Sequence, residues 1–206
     1  AIPHMQDVDR VLVLYGDVPL TEPGTLQRLV DEAADANLGV MTAVLADPAG
    51  YGRIVRDGTG RLLRNVEQKD ATEAELEIEE INTGMLVADR RRLGDWLARI
   101  ENDNAQGEDY LTDVIALAAA DGVDIATSQP NKLEEVCGVN DRIQLAALER
   151  YYQRRQAEKL MRAGVTLADP DRFDIRGQLH TGTDVSIDVN VVIEGEVRLG
   201  DGVSIG

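Results

Sequence analysis

The segment 185–206 reads VSIDVNVVIEGEVRLGDGVSIG and divides in register into VSIDVN, VVIEGE, VRLGDG and VSIG. Val185, Val191, Val197 and Val203 recur every six residues, and Ile187, Ile193, Leu199 and Ile205 form a second stripe two positions later. Phe173 and Leu179 extend the first stripe backwards. Six is the repeat of a parallel β-helix built from hexapeptides, in which each hexad forms one short flat face. A hairpin of two alternating strands does not hold two registered stripes over four successive hexads. Three hexads close one coil, so about two coils at most are expected. A solenoid buries its core only by stacking, and the expectation is a protein that continues beyond 206, or an end capped by another chain.

Moving towards the N-terminus, 140–164 is the clearest helix. Asp141 and Gln144 have capping-box spacing. Leu145, Leu148, Tyr152 and Leu160 supply an apolar side, and Gly164 is a C′ residue. A long polar helix at a change of period predicts a linker between two domains. Before it, apolar runs alternate with helical spacing. VLVLY at 11–15 predicts a strand buried on both faces, as in a parallel sheet, and Gly16-Asp17 ends it. The stretch 21–37 reads as a helix with Pro23 near its start. Strands follow at 40–45, at Ile54-Val55 and Leu62-Leu63 around an Asp57-Gly58 hairpin signal, at Ile81 and 85–87, and at 123–126. Helical stripes run through Leu93, Trp96, Leu97 and Ile100, and through Leu111, Val114, Ile115, Leu117 and Ala118. This is an α/β pattern. The expected division is 1–142, an α/β domain; 143–163, a linker helix; and 164–206, the start of the hexad domain.

Composition narrows the function. Among 206 residues, 21 Lys and Arg face 38 Asp and Glu, a formal charge of −17. That excludes a phosphate-backbone binder and an anionic membrane surface, so neither nucleic acid nor membrane is an expected partner. The longest apolar run, 114–120, is far short of the ~20 residues a membrane span needs. One cysteine, Cys137, fits a reducing, cytoplasmic setting and reads as a buried structural thiol. His4 and His180 are too far apart in sequence to make a metal-ligand pair by spacing.

Five residues carry chemistry by position. Asp17 lies past the carboxyl end of a strand, where open α/β sheets place ligands, and Gly16 lets a ligand approach the backbone. A carboxylate there is a Mg²⁺ ligand or a turn residue before Pro19. Asn140 is an N-cap, or is left free because Asp141 takes the cap. DPAGYGR at 47–53, which holds Gly52, is a backbone cradle or a plain turn. Glu67 in NVEQKD and Asn82 in INTG suit sugar hydroxyls or an N-acetyl group, or are polar strand edges. The acidic stretch 72–80 reads as a solvated face, with Lys69 balancing its charge.

LYGDVPL (14–20), GYGRI (50–54), VEQKDA (66–71), EINTG (80–84), NAQGEDYLTD (104–113) and GVNDR (138–142), followed by helix and hexads, closely resemble one bacterial family. Its members join an N-acetylglucosamine-1-phosphate uridylyltransferase to a glucosamine-1-phosphate acetyltransferase. The resemblance covers essentially the whole chain. It implies a Rossmann-like nucleotidyltransferase domain, here N-terminally truncated, then the linker helix and the start of a left-handed parallel β-helix. It implies that N-acetylglucosamine-1-phosphate attacks the α-phosphate of UTP, giving UDP-N-acetylglucosamine and pyrophosphate. Asp17 and Asn140 would hold Mg²⁺. Tyr15 and Gly16 would line the nucleotide and sugar site, and Gly52, Glu67 and Asn82 would bind the N-acetylglucosamine moiety. The hexad domain would assemble as a homotrimer. The family's Gly-rich phosphate loop, uracil-recognising segments and acetyltransferase coils are missing, so the 206 residues alone are expected to show no acetyltransferase and little uridylyltransferase activity. The competing readings are a nucleotidyltransferase for glucose-1-phosphate and a non-catalytic scaffold.

Overall fold

The computed structural model describes residues 7–102 and 104–206; His4 lies outside them. The chain forms two compact units, one ending at Gly138 and the other beginning at Val139.

The first unit is built around β5 (Glu80–Asp89), its longest strand. On one flank β5 pairs antiparallel with β2 (Leu38–Val44). On the other it meets β3 (Arg53–Arg56) at Ile81 and β1 (Arg10–Val13) along Leu86 to Asp89, again antiparallel. β4 (Leu62–Val66) lies outside β3, and β6 (Ile125–Ser128) runs parallel to β2 at the far edge. Helices cover both faces. Leu86 and Ala88 pack with Leu93 and Trp96 of α3 (Arg90–Leu97) and with Val114, Ile115 and Ala118 of α4 (Val114–Ala120). Met85 and Val87 pack on the opposite side with Leu29 and Ala33 of α1 (Pro23–Glu32). Burial on two faces is why β5 reads MLVA without alternation.

The α/β reading therefore holds, with corrections to its elements. The strand expected at 11–15 is the shorter β1, antiparallel and not parallel, and Leu12 and Leu14 are exposed. The central strand buried on both faces is β5, because the helices sit over the middle of the sheet. α1 is ten residues long, starting at Pro23, and stops well before Asn37. The β3–β4 connection is not a two-residue Asp57-Gly58 turn. The Asp57 carboxylate accepts from Thr59 and Arg61 backbone N–H groups at 2.8 and 3.0 Å, and Gly60 takes the left-handed conformation at φ +88°. The short α2 (Glu73–Leu76) buries nothing and is held by a Thr72/Glu75 capping box. Lys69 donates to Gln106 at 2.6 Å.

In the second unit α5 (Arg142–Arg162) starts on Asp141, whose carboxylate accepts from Ile143 and Gln144 N–H at 2.8 Å each. It ends in a Schellman motif: Gly164 N–H reaches Met161 O, Val165 N–H reaches Leu160 O, and Gly164 has φ +100°. The buried face is Leu148, Gln153 and Ala157, whereas Leu145 and Tyr152 are exposed. Gln153 replaces an apolar residue because its amide pairs with both backbone groups of Ile175, at 2.8 and 3.0 Å. The hexads then stack in parallel. β10 (Val191–Leu199) lies on β8 (Phe173–Thr181) with Val191 opposite Phe173, and β11 (Ser204–Ile205) lies on β9 (Ser186–Ile187) with Ile205 opposite Ile187. Both registers are offset by eighteen residues, three hexads. Phe173, Val185, Ile187 and Ile193 are buried inside, as their period requires.

Candidate functional site

The floor of the site is a break in β5. Val40 of β2 faces Leu86, but Thr42 faces Asn82, so two steps along β2 are matched by four along β5. The extra residues form a bulge, a device that kinks a strand and interrupts pairing. The side chains of Asn82 and Thr83 take up backbone groups at the break. Asn82 Oδ1 accepts Gly84 N–H at 2.9 Å, Thr83 Oγ1 donates to Met41 O at 2.8 Å, and Met85 N–H donates to Thr83 Oγ1 at 3.3 Å. Gly84 has φ +83°, and a Cβ there would lie 2.2 Å from Cε2 of Tyr15. Only glycine meets both demands, the backbone conformation and the Tyr15 ring lying against it.

Tyr15, Gly16 and Asp17 follow Leu14 past the end of β1, in an exposed segment that turns at Gly16-Asp17. Burial pushes the Tyr15 phenol up, and the charges of Glu67 and Asp17 push it further. Those three groups therefore share one electrostatic neighbourhood, and the phenol stays protonated at neutral pH. Tyr51, in the GYG loop, is likewise raised by burial and then by Cys137 and Asp17, while a hydrogen bond from Gly138 N–H opposes the rise. Thr21 Oγ1 donates to Glu135 O at 2.9 Å. The segment 135–138 is thus tied to the loop after Asp17 through Thr21 and to the glycine loop through Tyr51. Cys137 is half-buried; burial and Glu134 raise its thiol, which favours the protonated form.

The glycine loop joins the same floor. Asn82 N–H donates to Gly52 O at 2.9 Å. Gly52 packs against Asn65, whose Nδ2 donates to Glu67 Oε1 at 2.7 Å; Thr112 Oγ1 donates to that same oxygen at 3.0 Å. Burial raises the Asp113 carboxyl, and Glu67 and Asp70 raise it further. Gly52 and Asn82 therefore meet through a direct bond, Glu67 joins them through Asn65, which packs on Gly52, and the charges of Glu67 and Asp17 both act on Tyr15. Asn140 belongs to the second unit and is exposed; its N–H donates to Gln144 Oε1 at 2.7 Å, so the capping box reaches one residue beyond Asp141. Sequence reading missed Tyr51, Asn65, Thr112 and Asp113. Thr112 and Asp113 close the motif NAQGEDYLTD, but a motif does not say which strand its end will reach.

Among the described residues no group of three or more His, Cys, Asp or Glu could hold a metal ion. A closed protein cage is therefore not what this site offers. Asp17, exposed at a strand end with no hydrogen bond to its carboxylate among the described residues, suits an ion that takes one or two protein oxygens and completes its shell from water and substrate. No helix among the described residues is long and apolar enough to cross a membrane.

No protein-family model matches the chain. Curated relatives do match. The bifunctional protein GlmU of Paraburkholderia xenovorans is 57% identical over all 206 residues, and that of Alkalilimnicola ehrlichii is 58% identical over the same length. The chain spans about half the length of these relatives, 46% and 44%. Among solved structures, a UDP-N-acetylglucosamine pyrophosphorylase from Trypanosoma brucei aligns with 79% of this chain and 39% of its own at TM-score 0.55 and 16% identity. A glucose-1-phosphate thymidylyltransferase from Bacillus anthracis, so described with reservation, aligns with 71% and 55% at TM-score 0.52 and 16% identity. At that identity the two structures speak for the fold alone.

Proposed function

We propose that this chain, which belongs to the bifunctional GlmU family and corresponds to about half the length of its members, carries most of a sugar-nucleotide site for Mg²⁺-dependent uridylyl transfer. The reaction is attack by a phosphate oxygen of N-acetylglucosamine-1-phosphate on the α-phosphorus of UTP. The new P–O bond forms as the bond to pyrophosphate breaks, and UDP-N-acetylglucosamine results. Such a displacement asks the protein mainly to position and to neutralise.

The observation that carries this reading is the meeting of Gly52, Glu67, Asn82, Tyr15 and Asp17 at one strand end. Asn82 has given its oxygen to the bulge and keeps its N–H₂ for a ligand carbonyl or hydroxyl oxygen. Glu67 supplies an acceptor for a sugar hydroxyl or amide N–H. Tyr15, protonated, offers a phenol donor beside Gly16, which admits the ligand to the backbone. Asp17 would hold Mg²⁺, which when bound would screen the charge of the two phosphate groups, and the family resemblance implies Asn140 as its second protein ligand. The three-part division at 142 and 163, a left-handed coil, a homotrimer through the hexads and a cytoplasmic setting complete the proposal.

The test is calorimetric titration of UDP-N-acetylglucosamine into the chain with and without Mg²⁺. Binding that needs Mg²⁺ and is lost in Asp17→Ala is expected. UDP-glucose binding as tightly would favour the glucose-1-phosphate reading. No binding of either would favour the scaffold and refute the proposal.

A further inference from the structure

We propose that Asn65 and Thr112 are positioning residues that fix which oxygen of Glu67 meets the substrate; this rests on the sugar site proposed above. Both donors converge on Oε1, at 2.7 Å from Asn65 Nδ2 and 3.0 Å from Thr112 Oγ1. Among the described residues, no hydrogen bond reaches Oε2. One oxygen is saturated by the protein, and the other is left as a single acceptor in a fixed direction.

The arrangement opposes folding stability. Asn65 is 8% exposed, and its Oδ1 is buried without a hydrogen-bond partner. Turning the amide over would not help, because Oδ1 would then face the Glu67 carboxylate. The amide is also held from behind, since a Cβ at residue 52 would fall 2.4 Å from Oδ1 and 2.8 Å from Nδ2. Gly52 is thus required for room as well as for ligand approach. An unpaired buried oxygen kept beside a site residue is a local cost set against a site function. The ligand class that reads this device carries a hydroxyl or amide N–H opposite Oε2. A site built to accept such a donor discriminates strongly against an analogue that lacks it.

The experiment compares wild type with Asn65→Leu, Thr112→Val and Glu67→Ala. Thermal unfolding, titration with UDP-N-acetylglucosamine and Mg²⁺, and hydrogen exchange of the Asn65 side-chain amide by NMR are measured for each. Asn65→Leu is expected to be at least as stable as wild type yet to bind about tenfold more weakly, since one charge-assisted hydrogen bond that orients the carboxylate is gone. Thr112→Val should weaken binding in the same direction. A merely structural Asn65 would lose stability and binding together, and that result overturns the proposal. So does unchanged binding in Asn65→Leu where Glu67→Ala abolishes it. The amide exchange needs no ligand, so it separates this proposal from the functional reading. If wild type binds no sugar nucleotide, the functional reading fails. Slow Asn65 exchange that quickens at least about tenfold in Glu67→Ala still supports the positioning bond. Equally fast exchange in both refutes it.

Discussion

Replacing Gly84 by alanine separates two effects that the bulge combines. Left-handed backbone costs a non-glycine residue about 1–2 kcal/mol, and Gly84 sits at φ +83°. The added Cβ would also lie 2.2 Å from Cε2 and 2.7 Å from Cζ of Tyr15, so the ring must leave. The ring is about half exposed; losing the covered half, ~100 Å² at ~25 cal/mol/Å², costs up to ~2.5 kcal/mol. Gly84→Ala should therefore destabilise by about 2–4 kcal/mol in all. Gly60→Ala is the control, because Gly60 has nearly the same φ, +88°, and nothing within 4 Å of its Cβ position. It should cost only the backbone part. Urea unfolding followed by the fluorescence of Trp96, the single tryptophan and fully buried in this unit, reads both. In a Tyr15→Ala background the excess of Gly84→Ala over Gly60→Ala should vanish. Equal costs in wild type, or an excess that survives the loss of Tyr15, would refute the account of the bulge.

Asn82→Asp keeps the acceptor for Gly84 N–H but removes the side-chain donor, so stability should stay within about 1 kcal/mol while sugar-nucleotide binding weakens. Asn82→Ala should lose both, and an Asp variant that unfolds as readily as the Ala variant would contradict this. In the coil, a Cβ at Gly177 would lie 2.1 Å from the backbone oxygen of Gly195, which no side-chain rotation relieves. Gly177→Ala should speed amide exchange of Ile175 and Ile193 far more than Gly195→Ala, whose Cβ position is open; similar rates would count against the stacked register. Burial alone would raise Glu80, but hydrogen bonds at 2.7 and 2.8 Å from Arg56 bring it below the ordinary carboxylate range. A depressed folded pKa contributes stability above the unfolded value and loses it as pH falls through the folded one. The urea midpoint should thus fall on acidification below about pH 4.5, less steeply in Glu80→Gln; parallel curves would exclude the pair as a source.

The parts of this fold that are legible from sequence are those where one physical demand acts on each residue. The hexad period needs only that every sixth position point inwards, and the eighteen-residue registers of Phe173 with Val191 and Ile187 with Ile205 follow from it. The start of α5 needs only a side-chain acceptor, which Asp141 supplies. The failures come where demands overlap. VLVLY reads as a two-sided strand because its apolar run is continuous, but burial depends on where helices lie, and they lie over β5. Tyr152 and Leu145 look like core and are exposed, whereas Gln153 is buried because strand β8 leaves Ile175 with unpaired backbone groups that an amide can satisfy. Gly52, Glu67 and Asn82, which the proposal places in the sugar site, each lie in a motif visible in the sequence. Their partners Asn65 and Thr112, 47 positions apart in the numbering, become neighbours only through the sheet.

The electrostatics of the strand end bear on how an anionic ligand could sit there. Asp17 and Glu67 both act on Tyr15, and Glu67 and Asp70 both act on Asp113, so Glu67 links two groups of carboxylates around the strand end. The nearby cations are otherwise engaged: Lys69 donates to Gln106, and the buried Arg53 donates to the backbone oxygen of Tyr51. Two like charges at ~4 Å repel by about 4 kcal/mol at an effective dielectric near 20. A phosphate beside Asp17 would meet that repulsion directly. A divalent cation between them reverses its sign, turning the carboxylate from an obstacle into a ligand. Burial first, and the same field after it, raise both tyrosine phenols and favour them as donors to whatever oxygen approaches. A carboxylate-lined strand end with neutral donors is thus ill suited to a bare anion and well suited to an anion that arrives with its own metal. That is the physical reason the proposal gives Asp17 to a cation and sugar recognition to Glu67, Asn82 and the Gly52 loop.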